Sequence, residues 1–245
     1  MHKKWIALDI ESTGAVPGRY SMISIGACVV RDSGSCFYRE IKPVNKNYDY
    51  ESMKVAAGGL ICIRDYKNSD NELDPNNRKF KPSKVLEVLH EKGEEPSKVM
   101  KNYAEWIIKN TYKKGFKPVH VSYPIKMDGS FVDHYLHEFY YKHHNHNPNF
   151  PKEIRILGVN GCEDLNSIFR GITGDIYAHI DQVQTTDERN PRHNALEDAK
   201  HCAKKCDLIL GMMEERLGRR QITIENCIDS AQVVRNGSIS SVVNG

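Results

Sequence analysis

Three apolar runs near the N-terminus constrain the fold of this chain most strongly. Residues 5–10 are apolar except for Asp9, residues 22–30 are apolar almost throughout, and residues 35–41 alternate between apolar and polar. Such runs are typical of β-strands. Because short connections favour antiparallel pairing, the sequence predicts a three-stranded antiparallel meander.

From residue 49 onward, helical and strand patterns alternate. The strongest is a helix over 194–217, which Asn194 caps with help from Glu197 and which Gly218 ends. The other predicted elements are helices over 50–57 and 96–110, a strand over 118–123, a helix that includes 131–139, and a strand over 154–159. This order predicts an α/β fold, in which helices flank a mixed sheet that extends the meander.

Two segments stand apart from this pattern. Residues 64–81 are polar and rich in Asn and Asp, which predicts a surface insertion. Residues 219–245 contain many Ser, Asn and Gly residues, which predicts a flexible C-terminal tail. We therefore expect one domain over 1–218, followed by the tail.

Composition excludes several classes of protein. Over 245 residues, 35 Lys and Arg against 32 Asp and Glu leave a net charge of +3, unlike a histone-like protein or an acidic tail. No run approaches the roughly 20 apolar residues that span a bilayer, and the N-terminus lacks the apolar region of a signal peptide. The seven cysteines are odd in number and scattered, so we expect reduced thiols in a cytoplasmic protein without membrane association.

The first chemical feature is a pair of carboxylates at the end of the first predicted strand. Asp9 and Glu11 are two positions apart, so their side chains point to the same face of the strand. Buried like charges repel each other unless a cation compensates them. Carboxylate oxygens suit Mg²⁺ or Mn²⁺. The alternative is a solvated strand end.

The second feature lies at the start of the 194–217 helix. His193 precedes the helix in a loop, and Asp198 follows one turn into it. A histidine beside a carboxylate–metal site is suited to take a proton from water as a general base. The alternative is a loop histidine followed by acidic residues that only favour the helix dipole.

Together these residues resemble a known family. Asp9-Ile10-Glu11-Ser12-Thr13-Gly14 matches D-x-E-x-T-G, and residues 193–198 match H-x-A-x-x-D. In this combination and order, over about residues 5 to 217, the chain resembles the DEDDh branch of the 3′–5′ exonucleases. That group includes the proofreading subunit of a bacterial DNA polymerase, oligoribonuclease and ribonuclease T. The resemblance implies a ribonuclease H-like fold.

The middle motif of the family is matched less closely. In place of Asn-x-x-Phe-Asp-x-x-Phe-Leu, the chain has Pro124 at the Asn position and Met127 at the first Phe position, with Asp128 as the acid. Asp133 is the rival acid, but it lies more than a turn into the predicted helix and its neighbours fit the motif less well. We therefore favour Asp128 over Asp133.

The resemblance also implies a mechanism. Asp9, Glu11, Asp128 and Asp198 would hold two divalent ions, Mg²⁺ or Mn²⁺, and His193 would act as the base in hydrolysis of a phosphodiester bond. The substrate would be single-stranded RNA or DNA, degraded from its 3′ end to nucleoside 5′-monophosphates. The substrate-binding residues would include Ser12 and Thr13.

Two other functions are compatible with the sequence. One is a non-catalytic nucleic-acid-binding module with the same fold, which the complete set of acidic residues argues against. The other is a zinc-binding scaffold built on His134, His137, His143, His144 and His146, for which no cysteine pair lies nearby. Basic patches at 113–117, 142–144 and 216–220 are possible contacts for a phosphate backbone.

Overall fold

The computed structural model describes residues 2–32, 34–64, 66, 70–142, 161–185 and 193–237, the last range without side chains after 218. The chain divides into two compact units, 1–207 and 208–245. The first unit contains the sheet and all the predicted site residues. The second contains, over its described residues, the rest of the long C-terminal helix.

A five-stranded mixed sheet forms the centre of the first unit. Its strands are β1 (His2–Ser12), β2 (Met22–Val29), β3 (Cys36–Glu40), β4 (Phe116–Ser122) and β5 (Cys162–Asp164), in the order β3-β2-β1-β4-β5. The pairs β1–β2 and β2–β3 are antiparallel, whereas β1–β4 and β4–β5 are parallel. The predicted meander and mixed sheet are confirmed, while the predicted strand over 154–159 lies outside the described residues.

Helices accompany this sheet in the first unit, and the last of them continues into the second unit. They are α1 (Tyr50–Ala56), α2 (Ile61–Arg64), α3 (Pro82–Lys92), α4 (Pro96–Asn110), α5 (Ile125–Leu136), α6 (Leu165–Thr173) and α7 (Ala195–Gly237). Short 3₁₀ turns cover Tyr112–Lys114 and Ile180–Gln182, and a π-helical turn covers His137–Tyr141. The predicted helix over 96–110 is confirmed at both ends.

Two hydrophobic clusters stabilise the unit. The larger one joins β1 and β2 to α4 and α5, with the fully buried rings of Tyr103, Phe131 and Tyr135 at its centre. The smaller one joins α1, α2 and α3 around Met53 and Leu89. The first cluster therefore fixes the position of the central strand, on which Asp9 and Glu11 lie.

The structure differs in detail from the predictions for two chain segments. The polar insertion over 64–81 is not purely a surface feature, because Leu73 and Phe80 are each 4% exposed and belong to the smaller cluster. Helix α7 does not end at Gly218 but continues to Gly237, so residues 219–237 of the predicted flexible tail are helical. A single glycine costs a helix only about 1 kcal/mol relative to alanine, which does not stop it here. The domain boundary at 218 stays a prediction.

The expectation of wholly reduced thiols is wrong. Cys28 and Cys36 form a disulfide between β2 and β3. They are direct partners in the antiparallel ladder, with Cα atoms 4.2 Å apart, which is the spacing of a close cross-strand pair. Cysteine spacing along the chain did not reveal this pairing because it depends on the strand register.

Among the described helices, none is long and apolar enough to cross a membrane.

Candidate active site

The site forms at the carboxyl end of β1, the central strand of the sheet. Asp9 is half-buried and pairs across the ladder with Gly26, while Glu11 is 8% exposed and pairs with Ser24. Strand alternation carries both carboxylates to one face, as predicted. A register shift follows between Glu11 and Ser12, where the strand ends.

The start of α7 approaches this strand end closely because two glycines make room for it. A side chain at Gly26 would overlap the backbone of Ala195, and one at Gly59 would overlap the carbonyl group of His193. His193 itself has a φ of +60°, in the left-handed region that a non-glycine residue rarely adopts. The backbone at 193–195 is therefore held against β2 and the turn after α1.

Asn194 fixes the first turn of α7. Its side-chain oxygen accepts hydrogen bonds from the backbone N–H groups of Leu196 and Glu197, at 3.1 and 3.2 Å. Its amide nitrogen donates to the Gly59 carbonyl oxygen at 2.8 Å and to the Tyr38 hydroxyl at 3.4 Å. The predicted N-cap is thus confirmed, and the same residue anchors the turn that carries His193.

The result is a compact group of three side chains. Ligand atoms of Glu11, His193 and Asp198 all lie within 4.8 Å of one another. Asp198 is only 9% exposed, whereas His193 is exposed at the rim. The structure therefore brings the first and last predicted motifs together at one end of the sheet.

Asp128 approaches this group from α5. It lies in the first turn of the helix, is 7% exposed, and accepts a hydrogen bond from the Ser122 hydroxyl. Its carboxylate is close enough to act electrostatically on Glu11, and both Asp9 and Asp128 act on the buried thiol of Cys202. Glu11 and Asp198, together with His193, thus form the group whose ligand atoms lie within 4.8 Å of one another, and that group does not include Asp9 or Asp128.

The rival acid, Asp133, lies elsewhere. It is half-buried, and the groups that it affects electrostatically are the side chains of Tyr103, Tyr141 and Cys162. Burial raises the pKa of Asp133 to about 6 without a contribution from Glu11 or Asp198. This placement favours Asp128 as the middle acid of the group.

Burial and mutual repulsion raise the pKa values of carboxyl groups in this site. Burial, and then the negative charges of Asp198 and Asp128, hold the pKa of Glu11 well above its usual range. Burial raises the pKa of Asp128 to about 7, with a further contribution from Asp198. Carboxylates whose ionisation is opposed by burial and by one another are groups that a bound divalent cation would stabilise in their charged form.

The donor set also fits a divalent cation. The carboxylate oxygens of Glu11 and Asp198 are hard donors of the kind that suits Mg²⁺ or Mn²⁺, and the imidazole of His193 lies beside them at the rim. The half-buried and buried positions of Asp9, Glu11, Asp128 and Asp198 would make an uncompensated fourfold charge costly. These residues therefore fit the metal ions that the motifs imply.

Ser12 and Thr13, the predicted substrate contacts, have internal roles in this structure. Thr13 is fully buried, and its hydroxyl donates to the Asn47 carbonyl oxygen and accepts from the Ser21 backbone N–H. The Ser12 hydroxyl donates to the carbonyl oxygen of Gly14. Both residues hold the loop after β1 in place, and their contact with a nucleotide stays a prediction.

Sequence reasoning missed a set of supporting residues. The Tyr38 hydroxyl donates to Glu40 at 2.6 Å, and the Glu40 carboxylate accepts from the backbone N–H groups of Ile61 and Cys62 at the start of α2. Because Tyr38 also accepts from Asn194, this network connects α2 to the turn of His193. The sequence holds no signal for this network. It does hold one for the close approach of α7 at Gly26, since a glycine inside a strand often marks a close backbone approach.

The remaining predicted features lie away from the site or outside the described residues. The patch at 113–117 precedes and begins β4, where Phe116 pairs with His2, so it lies at the opposite end of β1 from Glu11. Of the five clustered histidines, His143, His144 and His146 lie outside the described residues, and His137 contacts Glu138.

Comparison with known proteins relates the chain to nucleases. No protein-family model matches the sequence. The chain is 26% identical over 216 residues to the 3′–5′ DNA exonuclease Cap18 of Escherichia coli, an alignment that covers 86% of this chain and 94% of that protein. The predicted resemblance to the DEDDh branch of the 3′–5′ exonucleases is thereby confirmed.

Solved structures show the same fold. The crystal structure of E. coli Exonuclease I in complex with a dT13 oligonucleotide matches with a TM-score of 0.58 at 12% identity, over 89% of this chain and 43% of that one. The zinc-bound form of the E. coli Exonuclease I–ssDNA complex matches with a TM-score of 0.55 at 13% identity, over 91% of this chain and 43% of that one. The chain thus spans less than half of Exonuclease I. The predicted α/β fold is confirmed, in agreement with the ribonuclease H-like fold that the resemblance implies.

Proposed function

We propose that this protein is a metal-dependent 3′–5′ exonuclease that hydrolyses single-stranded DNA. The observation that carries this proposal is the convergence of Glu11, His193 and Asp198, whose ligand atoms lie within 4.8 Å of one another. Their motifs, at opposite ends of the chain, are those of the nuclease family. The exonuclease class is supported by the similarity to Cap18 and by the shared fold with Exonuclease I.

Four carboxylates have the role of metal ligands in this proposal. Asp9 and Glu11 lie on β1, Asp128 on α5 and Asp198 on α7, and each offers carboxylate oxygens. When bound, two Mg²⁺ or Mn²⁺ ions would stabilise negative charge on the attacking and leaving oxygens of an in-line displacement at phosphorus. The raised pKa of Glu11 and of Asp128 supports a site that requires cations.

His193 acts as the general base. It is exposed at the rim of the group, where an imidazole nitrogen can take a proton from the attacking water. The water oxygen forms a bond to phosphorus while the bond from phosphorus to the 3′ oxygen breaks. The shortened strand keeps that oxygen, which takes up a proton, and the product is a nucleoside 5′-monophosphate. Asn194, the next residue, donates a hydrogen bond to the Gly59 carbonyl oxygen, and the carbonyl group of His193 packs against Gly59. These two contacts keep His193 in position.

Single-stranded DNA is the substrate that the comparisons favour. Cap18 is named as a DNA exonuclease, and Exonuclease I has been crystallised with DNA oligonucleotides. RNA remains within the proposal because discrimination rests on contacts to the 2′ position. Ser12 and Thr13 would contribute to the loop that meets the terminal nucleotide. The catalytic domain in this proposal is residues 1–218, and the protein acts in the cytoplasm.

The proposal is tested with DNA and RNA of identical sequence carrying a label at either end. Purified protein with Mn²⁺ should release labelled mononucleotide at once from 3′-labelled strands. From 5′-labelled strands it should give a ladder that shortens with time. Binding of both strands without any product would instead support the non-catalytic nucleic-acid-binding module. The ratio of the degradation rates of the DNA and RNA strands measures the preference for DNA.

A further inference from the structure

Two loops beside the candidate active site are joined by hydrogen bonds. The loop after β1 (residues 14–20) and the segment over 43–49 meet at Thr13, which donates to the Asn47 carbonyl oxygen at 2.8 Å and accepts at its own carbonyl oxygen from the Asp49 N–H at 2.7 Å. The Asn47 side chain donates to the Arg19 carbonyl oxygen at 3.0 Å. Thr13 lies only two residues beyond Glu11, so these loops border the carboxylate group.

Between the loops lies a cavity of about 350 Å³, which we name the basic cleft. It is lined by Arg19, Tyr20, Lys46, Asn47 and Tyr48. This volume is at the lower end of the range of small-ligand pockets, roughly 300 to 1,000 Å³. Two of the five residues are cations, two are aromatic and one is an amide.

The cations of the basic cleft are available to a ligand. Arg19 and Lys46 are exposed, and among the described residues neither has a carboxylate within ion-pair distance. The Arg19 guanidinium lies 5.4 Å from the centre of the Tyr20 ring, a cation–π contact that limits where the charge can go. The Tyr20 ring in turn packs against Gly14, where any side chain would overlap it. The charge of Arg19 is therefore held against one wall of the cleft.

Tyr48 extends the cleft towards a second cavity. Its side chain is 42% exposed, and it lines both the basic cleft and a neighbouring cavity of about 650 Å³ whose far wall is α3. Lys46 also lines both. An exposed aromatic ring beside unpaired cations is the combination that binds single-stranded nucleic acid, in which bases stack and phosphates meet positive charge.

We infer that the basic cleft binds the part of a single-stranded DNA that lies on the 5′ side of the nucleotide being removed. This inference rests on the proposed exonuclease function, because the strand can only lead away from the carboxylates in the 5′ direction once its 3′ end is in the site. Arg19 and Lys46 contact phosphates, and a base stacks on Tyr48. The cleft thus positions the strand without taking part in the chemistry.

The test measures binding without turnover. Anisotropy of a 5′-fluorescein-labelled oligo(dT) gives the dissociation constant of the full chain in EDTA at several salt concentrations. Arg19→Ala/Lys46→Ala should weaken binding roughly tenfold or more and reduce the slope of log K against log salt by about 1.4, since each lost phosphate contact removes about 0.7. Tyr48→Ala should weaken binding roughly fivefold to a hundredfold with a smaller change of slope.

Lys113→Ala/Lys114→Ala is the matched control. These two exposed lysines precede β4, whose first residue pairs with His2, about 30 Å along β1 from Glu11. The control should bind as the wild type does. Equal affinity and slope for wild type and Arg19→Ala/Lys46→Ala, or an equal loss in the control, would overturn the inference. If the cleft variants lose affinity but the wild type does not degrade DNA in Mn²⁺, the cleft binds DNA and the nuclease function is rejected. If the wild type degrades DNA but the cleft variants bind as tightly as it does, the nuclease function stands and the inference about the cleft is rejected.

Discussion

Glu11, next to the last residue of β1, and Asp198, in the first turn of α7, bring their carboxylate oxygens within 4.8 Å of each other. Each is less than one-tenth exposed. Two buried negative charges at this distance destabilise the fold unless something positive lies between them. The structure holds this arrangement at the end of the sheet where the two motifs converge.

Metal binding should be measurable as stability. Mn²⁺ at about 100 times its dissociation constant adds about 2.7 kcal/mol to the free energy of unfolding, which raises the melting temperature of a chain of this size by about 5 to 10 °C. Asp198→Asn should melt at or above the temperature of the metal-free wild type, because it relieves repulsion, and should gain little from Mn²⁺. Differential scanning calorimetry with Mn²⁺ and with EDTA measures both effects. An unchanged response to Mn²⁺ in the variant would exclude Asp198 as a ligand.

The two candidate middle acids should behave differently. Asp128→Asn removes a carboxylate from the group around Glu11 and should lower the rate of DNA degradation on the order of 1,000-fold, equivalent to about 4 kcal/mol of transition-state stabilisation. Asp133→Asn changes a half-buried acid beside Cys162 and should stay close to the wild-type rate. Steady-state kinetics with saturating Mn²⁺ compares them. The reverse order of effects would assign the role to Asp133.

The close approach of α7 should depend on Gly59. A Cβ atom there would overlap the carbonyl group of His193, so Gly59→Ala should lower the free energy of unfolding by about 1 to 3 kcal/mol and reduce kcat by displacing the base. Gly171→Ala is the control. It lies within α6, where among the described residues the added methyl group would meet no atom within 4 Å beyond the neighbouring residues and the helix's own backbone, and it should stabilise the protein by about 0.5 to 1 kcal/mol. Urea denaturation and initial rates give both quantities; a fully active Gly59→Ala would contradict this packing.

A buried histidine should make stability depend on pH. His120 on β4 is 3% exposed, its Nε2 lies 2.9 Å from the Tyr103 hydroxyl, and burial lowers its pKa to about 4. The unfolded chain takes up a proton near pH 6.5, whereas folded His120 does not. Its contribution is therefore complete above pH 6.5 and is lost as the pH falls towards 4, with a total on the order of 3 kcal/mol.

This dependence is isolated by difference, because Asp128 titrates with the opposite sign in the same range. For Asp128 the folded state holds its proton more tightly, so its contribution is present below pH 4 and is lost as the pH rises towards 7. The free energy of unfolding is measured by urea denaturation in EDTA at pH 7.5 and at pH 5. Between these two values it should fall by less in His120→Gln than in the wild type. Substitution of the exposed His90 by Gln is the control and should leave the wild-type dependence intact.

Local patterns in the sequence predicted much of the site. Strand alternation placed Asp9 and Glu11 on one face, and the N-cap signal placed Asn194, and hence His193, at a helix start. These relations span only a few residues, so periodicity reveals them. The preference for Asp128 came from a resemblance, and the structure places it beside Glu11 for a reason that sequence does not contain, the parallel pairing of β4 with β1.

The features that escaped prediction depend on contacts between distant segments. The Cys28–Cys36 disulfide requires the register of β2 and β3, and the contacts of Gly26 and Gly59 with residues 193–195 require the docked helix. Helix α3 was missed although Val85, Leu86 and Leu89 form a buried face at helical spacing after a proline at its start. The end of α7 was misplaced because Gly218 was given more weight than one glycine carries in a long helix.

The most direct measurement of the central claim is the rate of DNA degradation by the full chain with and without divalent metal. Wild type should shorten 5′-labelled single-stranded DNA from its 3′ end in Mn²⁺ or Mg²⁺ and stop in EDTA. Under the same conditions Asp198→Asn should be inactive and the Lys113→Ala/Lys114→Ala control should match the wild type. Degradation that persists in EDTA, or that continues undiminished in Asp198→Asn, would contradict the account.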